Sequence, residues 1–349
     1  NRNKRGITLD PRQERGRALL RRLIPSFDIL VENQPLSVLK EWGCLPEQLA
    51  ELHPPLIVVS VSCYGTSGPY LDRPGAGTLA EAFGGLTFMT GDADGPPMLP
   101  SIPLGDTVAA MSGVIGVLAA CYERDARSGR GGGADGGTGQ GTGQGQHVDV
   151  GMYEPILQLL GPTIATYDPL GPAPSRTGSR VPGGAPRNVY RAADDQWIAV
   201  SGTTDPQVAR MLKLLGEEGP EERAKFARSV ARVKHAEELD GKVADWVAAR
   251  RRDEALKMLL EARIPAAPVN DVPAILANPQ VVARRDIVTV DDDRLGPVSL
   301  VAPTPRLSRT PGAISSTGPS LGGHNQTVYR ELLGLSPAEI DELAASGVI

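Results

Sequence analysis

The chain has 349 residues, with 36 Lys and Arg against 41 Asp and Glu and a formal net charge of -5. That length fits two domains of ordinary size, and mild net acidity argues against nucleic acid as a partner while leaving room for local phosphate-binding pockets. Three widely spaced cysteines (Cys44, Cys63, Cys121) form no CxxC pair, and four histidines show no HxxH or HExxH spacing, so neither a disulfide framework nor a metal site is expected. No run of about 18 unbroken apolar residues occurs, so no membrane span or membrane partner is expected, and the cytoplasm is the expected compartment.

The chain opens without an initiator Met or signal-peptide pattern. Ile7-Thr8-Leu9 reads as a strand whose partners would lie earlier, so a preceding N-terminal portion is expected. Residues 13–24 space apolar side chains as a helix does, Phe27–Val31 reads as a short strand, and Val38–Glu41 and Pro46–Leu52 as helical pieces. Leu56–Val61 is a β-branched run of strand length. The Gly-, Ser- and Pro-rich loop 62–77 leads into a small-residue helix, Thr78–Phe83. Strands alternating with helices imply βαβ units and a parallel sheet, with ligands bound beyond the carboxyl ends of its strands. Asn33 and the loop after Val61 fall at that face.

Leu99–Met111 carries the most informative pair, Gly105-Asp106, at the mouth of a nearly uncharged helix, Thr107–Cys121. Two roles fit a carboxylate there. It can cap the helix, accepting from the first free N–H groups, or it can be a nucleophile held where backbone donors meet a substrate. Residues 130–146 follow as a Gly/Gln/Thr run read as a flexible surface loop. Gly131–Gly136 formally spells GxGxxG, but without a strand before it or a helix after it the motif lacks its physical context.

Val148–Val150 reads as a strand and Met152–Thr166 as one long apolar helix. Residues 169–186 form a Pro-, Gly- and Ser-rich linker or lid. Beyond it, Asn188–Arg191 and Trp197–Ser201 alternate as antiparallel strands. Helices follow at Pro206–Leu215, Glu221–Val233, Leu239–Arg250, Arg252–Ala262 and Val272–Asn278, and a hairpin at Ile287–Val290 and Val298–Val301. The expected division is a large domain at 1–168, the linker, a small α+β domain at 187–300, and a return linker with C-terminal helices at 301–349. Ser336-Pro337-Ala338-Glu339 spells a capping box.

Several segments together resemble one family. Asn3-Lys4-Arg5-Gly6-Ile7, Val31-Glu32-Asn33, Gly68-Pro69-Tyr70, residues 91–97 (GDADGPP), Leu104-Gly105-Asp106, residues 145–150 (GQHVDV) and residues 344–349 (AASGVI) occur in the order seen in class III CoA-transferases of the formyl-CoA and carnitine-CoA type. The resemblance spans essentially the whole chain. It implies an α/β fold with a Rossmann-like, parallel-sheet CoA-binding domain, a smaller α+β domain and two interlocked subunits of a homodimer. It also implies that Asp106 is the catalytic nucleophile, forming anhydride and thioester intermediates with acyl-CoA and a small or medium carboxylic acid, with no tightly bound cofactor. Gly105, Gly183 and Gly184 become oxyanion or lid candidates.

For CoA the resemblance points to Leu9, Asp10, Pro11 and Arg12, to Asn33, Gln34 and Pro35, and to a segment holding Arg73 and Ala76. Arg12 and Arg73 suit phosphate, since guanidinium meets phosphate oxygens as a fork. A family Arg position is Glu41 here, and neighbouring Lys40 is the expected substitute. The family usually reads Pro-Gly-Tyr-Asp where this chain has Pro74-Gly75-Ala76-Gly77. In the related 2-methylacyl-CoA racemases the Tyr position is a His that moves the α-proton, and Ala76 cannot do that. The departure therefore favours acyl transfer over racemisation and implies a roomier acyl pocket. A non-catalytic acyl-CoA-binding homologue is the alternative from another class. A nicotinamide-dependent dehydrogenase would rest on fold analogy alone.

Overall fold

The structure, a computed structural model, describes residues 1–127, 143–171, 175–181 and 183–349. The chain divides into two compact units: Asn1–Leu86 with Pro100–Gly161 and Pro279–Ile349, and Thr87–Leu99 with Pro162–Asn278. The GxGxxG run at 131–136 lies outside the described residues.

The first unit opens with α1 (Glu14–Leu23), β1 (Ile29–Glu32), α2 (Leu36–Trp42), α3 (Pro46–Leu52), β2 (Ile57–Ser62) and α4 (Gly77–Phe83). After the short α5 (Leu86–Met89), three of whose residues group with the second unit, come α6 (Leu104–Arg127), β3 (His147–Gly151) and α7 (Tyr153–Leu159). The three strands pair in parallel in the order β1-β2-β3, in register Val31↔Val59 and Ser60↔Asp149. Ile57 through Ser60 are all buried, as a central parallel strand covered on both faces requires. Ile57 and Val59 pack on Ala109 and Ala120 of α6. Leu56 and Val58 pack the other way, against Ile24, Leu39, Cys44 and Leu49.

The small residues of α6 explain its placement. A Cβ added at Gly116 would stand 2.8 Å from Val148 Cγ1, so only glycine lets the helix lie this close to β3. The side of α6 turned from the sheet is apolar and open: Met111, Val114, Ile115, Leu118 and Tyr122 are 58–78% exposed. The segment Leu104–Ala126 has a mean hydropathy of 1.7 over its most apolar window and is long and apolar enough to cross a membrane by length and composition. Interspersed Gly, Ser and Thr break the apolar run of this helix without lowering its mean hydropathy as charges would.

The second unit contains α8 (Thr163–Leu170), β4 (Arg187–Arg191), β5 (Trp197–Ser201), α9 (Asp205–Leu215), α10 (Pro220–Phe226), α11 (Ser229–Lys234), α12 (Ala236–Ala248), α13 (Arg252–Glu261), β6 (Ala266–Pro268) and α14 (Val272–Ala277). Its antiparallel sheet, β4-β5-β6, buries Tyr190, Ile198 and Val200 against Val243, Trp246, Val247 and Leu259. Asp240, nearly buried, accepts hydrogen bonds from Tyr190 Oη (2.7 Å), Asn188 Nδ2 (3.1 Å) and Arg180 Nε (2.7 Å). Burial and the Asp240 carboxylate push the Tyr190 phenol well above its usual range.

The chain then returns to the first unit with α15 (Pro279–Arg284), β7 (Ile287–Asp292), β8 (Gly296–Val301), α16 (Asn325–Leu333) and α17 (Pro337–Ala345). Leu19 and Leu23 of α1 share a core with Tyr329, Leu335, Ile340, Leu343 and Val348. The Ser336–Glu339 capping box forms in both directions.

Four expectations are corrected. Ile7–Leu9 is not a strand, because its surroundings satisfy the backbone with side chains. The Gly6 N–H donates to His324 Nδ1 (3.0 Å), the Thr8 N–H donates to Asn325 Oδ1 (2.9 Å), and Thr8 O accepts from Tyr329 Oη (2.6 Å). Met152–Thr166 breaks into α7 and α8, where Gly161 takes a φ of +55° and Pro162 follows. Glu221–Val233 breaks into α10 and α11 at Ala227-Arg228, where Arg228 is extended. The hairpin at 287–301, expected in the small domain, belongs to the first unit. It is tied to the start of the chain by Arg2 Nη1, which donates to Val301 O, and beside it by the Asn3 N–H, which donates to Ser316 O (3.2 Å). Residues 87–99 group with the second unit instead.

Replacing Ser336 with Ala removes the cap of α17 and is expected to lower stability by about 1 kcal/mol, read from the midpoint of chemical denaturation.

Candidate active site

At the carboxyl end of the parallel sheet the first unit opens a cavity of about 750 Å³. Each strand delivers a loop to it. The end of β1 brings Asn33, Gln34 and Pro35; β2 brings Ser62 and Cys63; the loop behind it brings Gly65, Thr66 and Arg73 through Ala76; Asp106 and Met152 complete the wall. Open parallel sheets place ligands here because consecutive loops splay apart at this edge.

Asp106 is the third residue of α6, whose first turn starts at Leu104. It is therefore not the cap that residue type alone suggested. Pro103 supplies the capping carbonyl, accepting from Thr107 N (3.1 Å) and Thr107 Oγ1 (2.8 Å). The Asp106 side chain is exposed in the first turn of the helix. A Cβ at Gly77 would stand 2.0 Å from Asp106 Oδ2, so the carboxylate rests directly on the α4 backbone. Gly105 is required by the same close approach, since its Cβ would stand 2.6 Å from Gly77 O. The Gly105 N–H, expected as an oxyanion donor, is buried and already donates to Glu81 Oε1 at 2.7 Å.

The loop after β2 is pinned from the next strand. Asp149 Oδ2 accepts from Thr66 N (3.0 Å) and from Thr66 Oγ1 (2.6 Å). Arg73 lies 3.6 Å over the centroid of Tyr70, a cation–π contact. Tyr64, Tyr70, Phe83 and Tyr153 support it through edge-to-face contacts with centroids 5.1–5.9 Å apart.

Of the residues singled out in the sequence, the cavity brings together Asn33, Gln34, Pro35, Arg73, Ala76 and Asp106. Leu9, Asp10, Pro11, Arg12 and Lys40 are not among its lining residues. Asp10 accepts from Arg12 Nε at 2.8 Å and from Arg12 N at 3.1 Å. That bond to the guanidinium, with a second from Gln13, lowers the Asp10 pKa to about 2. Lys40 stands exposed on α2. Gly183 and Gly184 belong to the second unit, where Gly183 O accepts from Ser229 Oγ (3.1 Å) and Gly184 pairs with Val181. Sequence reading missed Glu81, Thr66 and the aromatic support of Arg73. Glu81 carried one signal, a charge four residues beyond Gly77 on an otherwise small and apolar helix.

A family model described as CoA-transferase family III matches residues 1–325. The chain belongs to CoA-transferase family III. Relatives of this family III chain include the succinyl-CoA–D-citramalate CoA-transferase of Chloroflexus aurantiacus, 37% identical over 348 residues, covering all of this chain and 83% of that protein. The β subunit of the same organism's succinyl-CoA–L-malate CoA-transferase is 33% identical, again over all of this chain and 83% of its own length. Among solved structures, a CaiB/BaiF family protein from Brucella suis is 29% identical, with a TM-score of 0.78 over 95% of this chain and 82% of that one. CoA thioesters are the substrates of family III, so the cavity has a ligand class to be tested against.

Replacing Asp149 with Ala is expected to release the Gly65–Thr66 backbone, cost about 1–2 kcal/mol of stability and speed amide exchange at Thr66. Unchanged exchange would remove the pinning role.

Proposed function

We propose that the protein moves CoA from an acyl-CoA donor to a free carboxylic acid through covalent intermediates on Asp106. The observation that carries this reading is the position of Asp106: an exposed carboxylate in the first turn of α6, at a cavity that also holds Arg73 and Asn33.

The steps balance without water or an external proton. An Asp106 carboxylate oxygen attacks the thioester carbonyl and expels CoA thiolate, leaving a mixed anhydride. The thiolate attacks the aspartyl carbonyl carbon and expels the donor acid, leaving an aspartyl-CoA thioester. The acceptor carboxylate attacks that thioester, releasing thiolate and forming a second anhydride. The thiolate then attacks the acceptor acyl carbon, giving the new acyl-CoA and free Asp106. Covalent catalysis divides an exchange between two anions into easier steps. Arg73, steadied by Tyr70, suits an anionic oxygen of CoA or of the acid.

The relatives' names support succinyl-CoA as donor and a C4–C5 hydroxydicarboxylic acid as acceptor. Ala76 at the cavity wall leaves more space than a tyrosine would, consistent with acids larger than formate or oxalate. Racemisation is set aside because Ala76 supplies no base. The working form we propose is an interlocked homodimer in the cytoplasm, with no tightly bound cofactor and with the apolar flank of α6 covered by the second copy. Contiguous exposed apolar patches of this kind mark interaction surfaces.

Asp106→Asn is expected to lower turnover of succinyl-CoA with D-citramalate by about 10³-fold or more while leaving the circular dichroism spectrum unchanged. Hydroxylamine added to the parent protein with succinyl-CoA should leave a hydroxamate on Asp106 by mass spectrometry. Full activity in the variant would end this reading. Leu118→Glu is expected to shift the sedimentation coefficient from dimer toward monomer, and an unaltered dimer would exclude the α6 flank as the interface.

A further inference from the structure

Glu81 is a buried carboxylate, 1% exposed, that none of the steps above uses. Burying an ionisable group is unfavourable unless a partner compensates it, so packing alone does not explain a glutamate here. Its partner is specific. Glu81 Oε1 accepts the Gly105 N–H at 2.7 Å. That N–H belongs to the first turn of α6, where backbone donors have no partner within the helix. A hydrogen bond to an acid side chain there gains from the helix dipole and from charge assistance.

Gly77 and Glu81 are four residues apart and therefore share one face of α4. Gly77 meets the Asp106 side chain, and Glu81 holds the N–H of the residue before it. The same short helix thus grips two consecutive residues, one through backbone proximity and one through a hydrogen bond. We propose that Glu81 is a positioning residue for Asp106: its oxygen fixes the first turn of α6 so that the neighbouring carboxylate points into the cavity. The assignment rests on reading Asp106 as the nucleophile. A nucleophile displaced by about 1 Å can lose on the order of 10²-fold in rate, which sets the size of the expected effect.

The test compares Glu81→Gln, which keeps an acceptor oxygen, with Glu81→Met, which keeps volume and helix propensity but has no such oxygen. With succinyl-CoA and D-citramalate, Glu81→Met is expected to lower kcat about 10²-fold with KM for succinyl-CoA within about threefold of the parent. Glu81→Gln should recover most of the loss. A merely structural role would change the folded fraction, measured by circular dichroism, rather than kcat per folded molecule. Parental kcat in Glu81→Met overturns the assignment, and so does an equal loss in both variants. If Glu81→Met does not fold, Glu81→Gln decides: near-parental kcat with slow amide exchange at Gly105 supports the assignment, and a 10²-fold loss in a folded protein overturns it. A parent that forms no hydroxylamine-trappable adduct on Asp106 overturns the nucleophile reading, and this assignment with it. An active parent beside an unaffected Glu81→Met overturns this assignment alone.

Discussion

The close approach of α6 to its neighbours is the constraint on which the first unit depends. The helix can lie against β3 only because residue 116 has no side chain, and its first turn can meet α4 only because residues 77 and 105 have none. Each of these contacts trades a side chain's packing for backbone proximity. The result is a helix start that sits deep at the carboxyl edge of the sheet, with Asp106 seated on the neighbouring backbone. Burial of β2 on both faces supplies the platform, and the β2 loop, tied down by Asp149, forms the facing wall.

Charge is handled differently in the two units. Around the cavity two charged groups that face solvent, Asp106 and Arg73, are each steadied by an uncharged neighbour: the Gly77 backbone and the Tyr70 ring. In the second unit two charges, Arg232 and Asp240, are buried and saturated with hydrogen bonds. Arg232, 1% exposed, donates to Asp205 and to the carbonyls of Ala185, Thr203, Phe226 and Ala227, knitting the ends of three loops together. The first arrangement leaves groups available for a ligand. The second consumes them for shape.

Much of the fold was legible because periodicity and composition act locally. The β-branched run of β2, the capping box of α17 and the small-residue helix around Gly105 each declare themselves within a few residues. The errors arose where distant partners decide. Ile7–Leu9 has the composition of a strand, yet His324, Asn325 and Tyr329 satisfy its backbone. The helix breaks at Gly161 and Ala227 interrupt patterns that apolar spacing alone reads as continuous. The candidate cavity was legible in outline, since Asn33, Arg73 and Asp106 all line it. Glu81 was not, because nothing in a linear sequence tells that a buried acid meets a backbone N–H 24 residues away.

Two adjacent positions behind Asp106 differ in how freely they can vary. Gly77 is locked: any side chain there collides with the carboxylate, so change at that position would have to move Asp106 itself. Ala76 is exposed at the cavity wall and carries no such contact with Asp106. Bulk at residue 76 can therefore change without disturbing the residue beside it. That separation lets the cavity wall be reshaped by a single substitution while the seat of Asp106 stays fixed.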